Sequence, residues 1–205
     1  MAAVAELRRL FAARGRPLVV EFNEPLFPRL PPLLERAGLV ETVRAPLMLC
    51  PVADFRPFNS PGVAVRFLEP DDPDEELRAF LTLFHENFGR DPDRVTPEAI
   101  ARLRDEVART GGRSAALARL DAKPAGTGFV AGYERGVCEI TRVTTAPWAR
   151  RRGVAATLTS FLIQSAVATG SDLAWLSARG PPAQALYAKL GFHRVGERLY
   201  YEERG

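Results

Sequence analysis

The chain has 205 residues, enough for one full domain with a core and part of a second. Its 46% hydrophobic and 26% charged residues exclude a disordered chain, and no apolar run approaches the ~18 residues needed to cross a membrane. A net charge of +3 is mild, so neither a nucleic acid nor a membrane is expected as a partner. Only Lys123 and Lys189 are lysines, and this arginine-rich balance fits a GC-rich bacterial genome. Cys50 and Cys138 lack metal-ligand spacing, and His85 and His193 stand alone, so no metal site is expected. Both cysteines read as small core residues in a reducing, cytoplasmic compartment.

In chain order, residues 4–14 read as an amphipathic helix with Leu7, Leu10 and Phe11 on one side. A short buried strand follows at 18–20, a helix at 28–36 ending at Gly38, and a strand to about Leu49. Residues 50–62 carry three prolines and a terminal glycine and mark a linker or rigid connecting loop. Beyond it, residues 63–67 alternate like a strand, and the acidic stretch 71–76 suits a helix start. Leu77, Phe80, Leu81, Phe84 and Phe88 fall at helical spacing. Thr96-Pro97-Glu98 announces a second helix, with Ile100, Leu103 and Val107 apolar. Three β segments come next, at 115–120, 126–133 and 137–144, joined as antiparallel hairpins by turns containing Lys123-Pro124 and Arg135-Gly136. A helix after Gly153, a strand at 173–177, a helix at 183–190 and a final pair of strands from 192 to 202 complete the chain. The order predicts an α/β (α+β) fold, a mixed, mostly antiparallel sheet flanked by helices.

The segment Val143-Thr144-Thr145-Ala146-Pro147-Trp148-Ala149-Arg150-Arg151-Arg152-Gly153-Val154-Ala155-Ala156 carries the chemistry. A strand runs into an arginine- and glycine-containing loop that opens a long helix. Unpaired N–H groups and the helix dipole then meet at one spot, which suits a phosphate. Pro147 cannot donate to a ladder, so pairing should stop there and free the strand end to splay. Three arginines before a helix also suit a solvated turn or a nucleic-acid patch, but no aromatics interleave with them.

Arg150-x-x-Gly153-x-Ala155 resembles the pyrophosphate-binding motif of the GNAT acetyltransferase superfamily. Downstream, Ala183-x-x-Leu186-Tyr187-x-x-Leu190-Gly191-Phe192 is similar to that family's C-terminal helix and turn. Alone the first pattern is weak; the pair in the right order, across residues 63–205, is specific. The resemblance implies a GNAT fold and transfer of an acetyl group from acetyl-CoA, as co-substrate, to a small-molecule or peptide amine by direct attack in a ternary complex. It implies that the backbones of Val143 and Thr145 bind the pantetheine arm and acetyl carbonyl, with Val143 N–H the carbonyl donor. N–H groups from Arg151 through Gly153, Val154, Ala155 and Ala156 would hold the pyrophosphate, with side-chain help from Arg150, Arg151 or Arg152.

Tyr187 occupies the family's tyrosine position, from which a hydroxyl can protonate the departing thiolate; packing under the CoA with a wet hydroxyl is the alternative. Glu139 lies eleven residues before Arg150, where several members carry a glutamate base; a surface-facing strand glutamate is equally compatible. Gly180 stands where many members have asparagine, and Ser177 is the candidate replacement. His85, Glu86 and Arg90 fall where the family shapes its acceptor pocket, or are simply exposed helix-end residues.

Leu33-Leu34-Glu35-Arg36-Ala37-Gly38-Leu39 resembles Leu186-Tyr187-Ala188-Lys189-Leu190-Gly191-Phe192. The expected organisation is therefore a partial GNAT-like segment without the CoA loop at 1–50, a linker at 51–62 and a complete domain at 63–205. An ordinary N-terminal extension is the other reading. An acyl-CoA sensor or an interaction module stands beside the enzyme, and a homodimer is left open.

Overall fold

A computed structural model describes residues 2–89, 91 and 94–203. In chain order the elements are α1 (Ala2–Ala12), β1 (Val19–Asn23), α2 (Leu30–Arg36), β2 (Leu39–Pro51), β3 (Val63–Phe67), α3 (Asp74–Asn87) and α4 (Pro97–Arg109). They continue with β4 (Ala115–Leu120), β5 (Lys123–Glu134), β6 (Val137–Thr145), α5 (Val154–Ala168), β7 (Leu173–Ser177), α6 (Pro181–Lys189) and β8 (His193–Glu203). The protein is a mixed α/β fold of mostly antiparallel strands flanked by helices. Two compact units divide the chain. One takes residues up to Leu49, Ser177–Ala185 and those from His193 onward, and the other takes Cys50–Leu176 and Leu186–Phe192.

In the first unit β8 pairs antiparallel with both β1 and β2, from Val19↔Glu202 on one side and Leu39↔Glu203 on the other. Leu18, Phe22, Leu34, Leu39, Leu199 and Tyr201 form its core, the rings of Phe22 and Tyr201 stacking at 6.0 Å. The expected pair of C-terminal strands is one strand instead. Gly196 does not turn the chain. It sits at a register irregularity against Leu47 and Met48, and a Cβ there would overlap Pro25. The C-terminal strand thus belongs to the unit built from the first fifty residues.

In the second unit β3, β4, β5 and β6 form an antiparallel ladder, and β7 joins β6 in parallel. Its two faces are told apart by β5. Gly126 and Gly128 lie under Val154, Leu158 and Leu162 of α5, where a Cβ would come within 2.9 Å of Val154 and 2.8 Å of Leu162. Phe129, on the other face, meets the Arg142 guanidinium, which also lies near Phe84 of α3. Thr96 caps α4 by accepting from Ala99 N–H at 3.3 Å, as its Thr-Pro-Glu signature anticipates. The β4–β5 turn is shifted from expectation. Asp121 and Ala122 take it with φ of 51° and 65°, and Lys123 and Pro124 already belong to β5. Their positive φ is the hairpin-turn geometry usually given to glycine or asparagine, so the lysine–proline pair misleads.

Residues 51–62 are pinned along the second unit. Val52 N–H donates to Asp172 O (2.9 Å), Arg56 N–H to Leu190 O (3.0 Å), Phe58 N–H to Ser160 Oγ (2.9 Å) and Ser60 N–H to Thr157 Oγ1 (2.9 Å). Prolines remove donors, and these four N–H groups find acceptors on distant chain, so the segment is a strap.

Candidate functional site

The strand, loop and helix expected to hold the chemistry are continuous in the second unit. β6 pairs with β7 only through Val137↔Leu173, Cys138↔Ala174 and Glu139↔Trp175, yet β6 runs on to Thr145. From Ile140 onward its β7 side is open, while its β5 side stays paired through Thr127↔Thr144 and Gly126↔Thr145. Between Phe129↔Thr141 and Thr127↔Thr144 the register advances three residues on β6 for two on β5, and Arg142 there has a φ of 55°. This is a bulge, and it re-aims Val143. Thr144 Oγ1 is satisfied by Thr127 Oγ1 at 2.8 Å, whereas the buried Thr145 Oγ1 has no partner among the described residues. An orphaned hydroxyl costs free energy unless something answers it.

Beyond Thr145 the chain makes a short 3-10 turn at Pro147–Ala149 and enters α5 with Gly153 as a left-handed cap, φ 79°. Thr157 N–H bonds Gly153 O at 2.9 Å. Helix geometry leaves the N–H groups of Val154, Ala155 and Ala156 without internal acceptors, and among the described residues no side chain caps them. That end is therefore a ready anion site. Glycine at 153 has a second reason besides close approach of a ligand. A Cβ would lie 2.6 Å from Ser60 Cβ and 3.2 Å from Phe58, both on the strap.

The three arginines divide. Arg150 donates to Asn87 Oδ1 at the end of α3 (3.2 Å), and Arg152 pairs with Asp121 of the β4–β5 turn (3.1 Å). Arg151, exposed and with φ 61°, has no ion pair among the described residues.

Tyr187 lies in the last turn of α6, in the same unit, nearly buried with its ring edge-on to Phe192 at 5.8 Å. Burial pushes its hydroxyl up to about 12. Glu139 sits on the final β6–β7 rung, half-buried, opposite Ala131. Register places it on the Phe129 face, away from α5. Cys138 and Cys50 are buried, and burial raises both thiols, Cys50 to about 11. Neither is poised as a nucleophile.

The sequence profile of the Acetyltransferase (GNAT) family matches residues 73–192, from the start of α3 to the corner after α6. The chain belongs to this family. It is an acetyltransferase of acyl-CoA-dependent, N-acetylating type. A GCN5-related N-acetyltransferase from Kribbella flavida shares 26% identity, with a TM-score of 0.76 over 99% of this chain and 74% of that one. One from Sphaerobacter thermophilus shares 20% identity, with a TM-score of 0.65 over 91% of this chain and 60% of that one. A tandem GNAT protein from the clavulanic acid biosynthesis pathway shares 16%, with a TM-score of 0.69 over 98% and 68%. These last two show likeness of fold alone. No curated protein matches.

Several residues beside this acetyltransferase's candidate site carried no sequence signal. Arg142 is one: its guanidinium lies 4.6 Å from Phe129 and 3.3 Å from Glu106 of α4, and its bulge is set by register. Asn87, Asp121 and Ser60 reach the loop from far along the chain. Of the acceptor-side residues, His85 Nδ1 is 3.2 Å from Asp91 O, Glu86 lines a cavity beside α3, and Arg90 lies outside the described residues. Gly180 adopts φ 79° just before α6, and Ser177 ends β7. Among the described residues no helix is long and apolar enough to cross a membrane, and no cluster suits a metal.

Proposed function

We propose that the open edge of β6 and the uncapped start of α5 bind acetyl-CoA, and that its acetyl group passes directly to an amine in a ternary complex. The observation that carries this reading is the early end of the β6–β7 ladder at Glu139, three residues before a bulge and on a strand that leads into a bare helix N-terminus. The pyrophosphate falls to the N–H groups of Arg151, Arg152, Gly153, Val154, Ala155 and Ala156, supported by the helix dipole. Arg151 is the side chain best placed to help, since Arg150 and Arg152 are already engaged. The pantetheine arm falls to the backbones of Val143 and Thr145 on the edge that β7 leaves open.

In the reaction the amine nitrogen bonds to the thioester carbon and the C–S bond breaks. Val143 N–H donates to the carbonyl oxygen as negative charge grows there. The attacking amine loses its proton toward Glu139, by itself or through water, and the thiolate leaves. A hydroxyl raised to about 12 stays protonated at neutral pH and donates a hydrogen bond to the sulfur. Full transfer from it to a thiolate of pKa ~8.5 runs uphill, so the sulfur leaves as a hydrogen-bonded thiolate and takes its proton from solvent, while the proton gathered at Glu139 returns to solvent. The acceptor is a small-molecule or peptide amine. Residues 63–205 are proposed to carry the complete GNAT sequence unit and 1–50 a related half lacking the CoA loop, the two sharing strand β8, which pairs with β1 and β2. Buried free thiols support a cytoplasmic location.

Thiol release from acetyl-CoA against a broad amine panel tests this. Tyr187→Phe should lower kcat by about 10- to 100-fold, the value of a hydrogen bond to a charged group, with acetyl-CoA affinity unchanged. Absence of acetyl-CoA binding by calorimetry sinks the reading. Binding without release for any amine favours an acyl-CoA sensor, for which Gly180 in place of the family's asparagine speaks.

A further inference from the structure

Beside the arginine loop lies a cavity of about 550 Å³ that the proposed acetyl-CoA contacts do not use. One wall is a single face of α3, carrying Glu75, Leu83 and Glu86; a second is the start of β5, with Lys123 and Pro124; the third is Trp148. Trp148 is 42% exposed for so large an apolar ring, and the Lys123 ammonium stands 4.5 Å from its centroid. Arg78, also on this wall, is spent on Val95 O at 2.8 Å. Among the described residues no ion pair engages Glu75, Glu86 or Lys123. An aromatic face that already holds a cation thus shares a cavity with two carboxylates that no described residue pairs and an apolar floor. That combination recognises an organic cation by ring quadrupole, charge and burial together.

We propose that this cavity binds an organic ammonium with an apolar body, its cation seated on the Trp148 indole and its charge answered by Glu75 and Glu86. The Lys123 ammonium marks the cation's place from within the chain, and on a flexible stem it swings to solvent when the ligand enters. Lys123 is therefore a competitor, and its removal tightens binding. The ligand is either the far end of the amine acceptor or a separate effector, since both present the same chemistry. The site rests on the cavity alone; its connection to acetyl transfer rests on the reading of the neighbouring loop.

Calorimetric titration of the full chain with phenethylammonium, against uncharged 2-phenylethanol, tests the assignment. The ammonium should bind at least about tenfold more tightly than the alcohol, and Trp148→Leu or the pair Glu75→Gln, Glu86→Gln should each weaken it about fivefold or more. Lys123→Ala should strengthen it. Equal binding of the two probes, no binding at millimolar concentration, or weaker binding in Lys123→Ala overturns the proposal. Where Trp148→Leu fails to fold, Trp148→Phe keeps a weaker ring and should give an intermediate loss. With an active acceptor in hand, a rise in KM at constant kcat assigns the cavity to the acceptor, and a fall in kcat assigns it to an effector. Acetyl-CoA affinity measured on the same samples keeps the two readings apart: its absence sinks the loop and leaves the cavity standing.

Discussion

The corner at Gly38 and the corner at Gly191 are written in closely related residues and are held by different forces. Both end a helix, both take a left-handed φ, 85° and 102°, and both turn the chain into the next strand. At Gly38 a Cβ would meet nothing closer than an Arg8 side-chain nitrogen at 3.8 Å. At Gly191 it would overlap the backbone of Asp54 and come within 3.2 Å of Phe55 Cα. The residue four before each glycine differs in kind as well. Leu34 joins the core of its unit, while Tyr187 carries a hydroxyl into a buried place. Similar corner sequences thus give a bare conformational requirement in one unit and, in the other, a requirement joined to packing by the strap.

Four experiments probe that contrast. Gly191→Ala should cost at least about 3 kcal/mol, because left-handed strain adds to a collision with backbone that cannot swing away. Chemical denaturation reads it, and a cost near that of Gly38→Ala would erase the distinction between the corners. Tyr187 gives the next effect. Its folded-state pKa of about 12 lies above the ordinary 10.0, so its stabilisation is complete below pH 10 and is lost as pH rises toward 12. Two units correspond to about 2 to 3 kcal/mol. Tyr200 and Tyr201 are raised to about 12 too, so the comparison is with Tyr187→Phe, whose alkaline loss should be smaller by that amount. An unchanged alkaline limb would show that Tyr187 is not buried in solution.

Gly153→Ala comes third, at about 2 kcal/mol, from φ strain and a collision with Ser60 Cβ at 2.6 Å, less close than the 2.1 Å to Asp54 O at Gly191. It should also weaken acetyl-CoA binding measured by calorimetry, since Ser60 Oγ donates to Arg152 O at 3.1 Å. Gly38→Ala is the smallest, about 1 to 2 kcal/mol of backbone strain. A larger loss would mean that the Gly38 corner is packed as tightly as its counterpart.

Much of the secondary structure is legible in the sequence because its signals are local. The alternation at 63–67, the Thr96 cap and the left-handed Arg135-Gly136 turn match what neighbouring residues require. The strand–loop–helix of residues 143–156 is legible for the same reason, since proline, glycine and an apolar helix lie within one short stretch. The C-terminal strand reads locally as two because glycine is ambiguous: at Gly196 it makes room for Pro25, a residue 171 positions away in sequence (196 − 25). Tight fit against distant chain leaves no mark in the local pattern.

By itself, then, the amino-acid order determined the element types, the position of the bare helix end and, through two motifs in sequence, the family. Tertiary structure alone decided that β6 parts from β7 at Glu139, that a bulge at Arg142 re-aims Val143, and that Arg150 and Arg152 are tied to Asn87 and Asp121 while Arg151 is not. It also decided that residues 51–62 are a strap and that α3, Lys123 and Trp148 enclose a cavity. The physical reason is one of range. Caps, turns and periodicity act over a few residues, whereas register, burial and side-chain pairing depend on groups that only the folded chain brings within hydrogen-bonding distance.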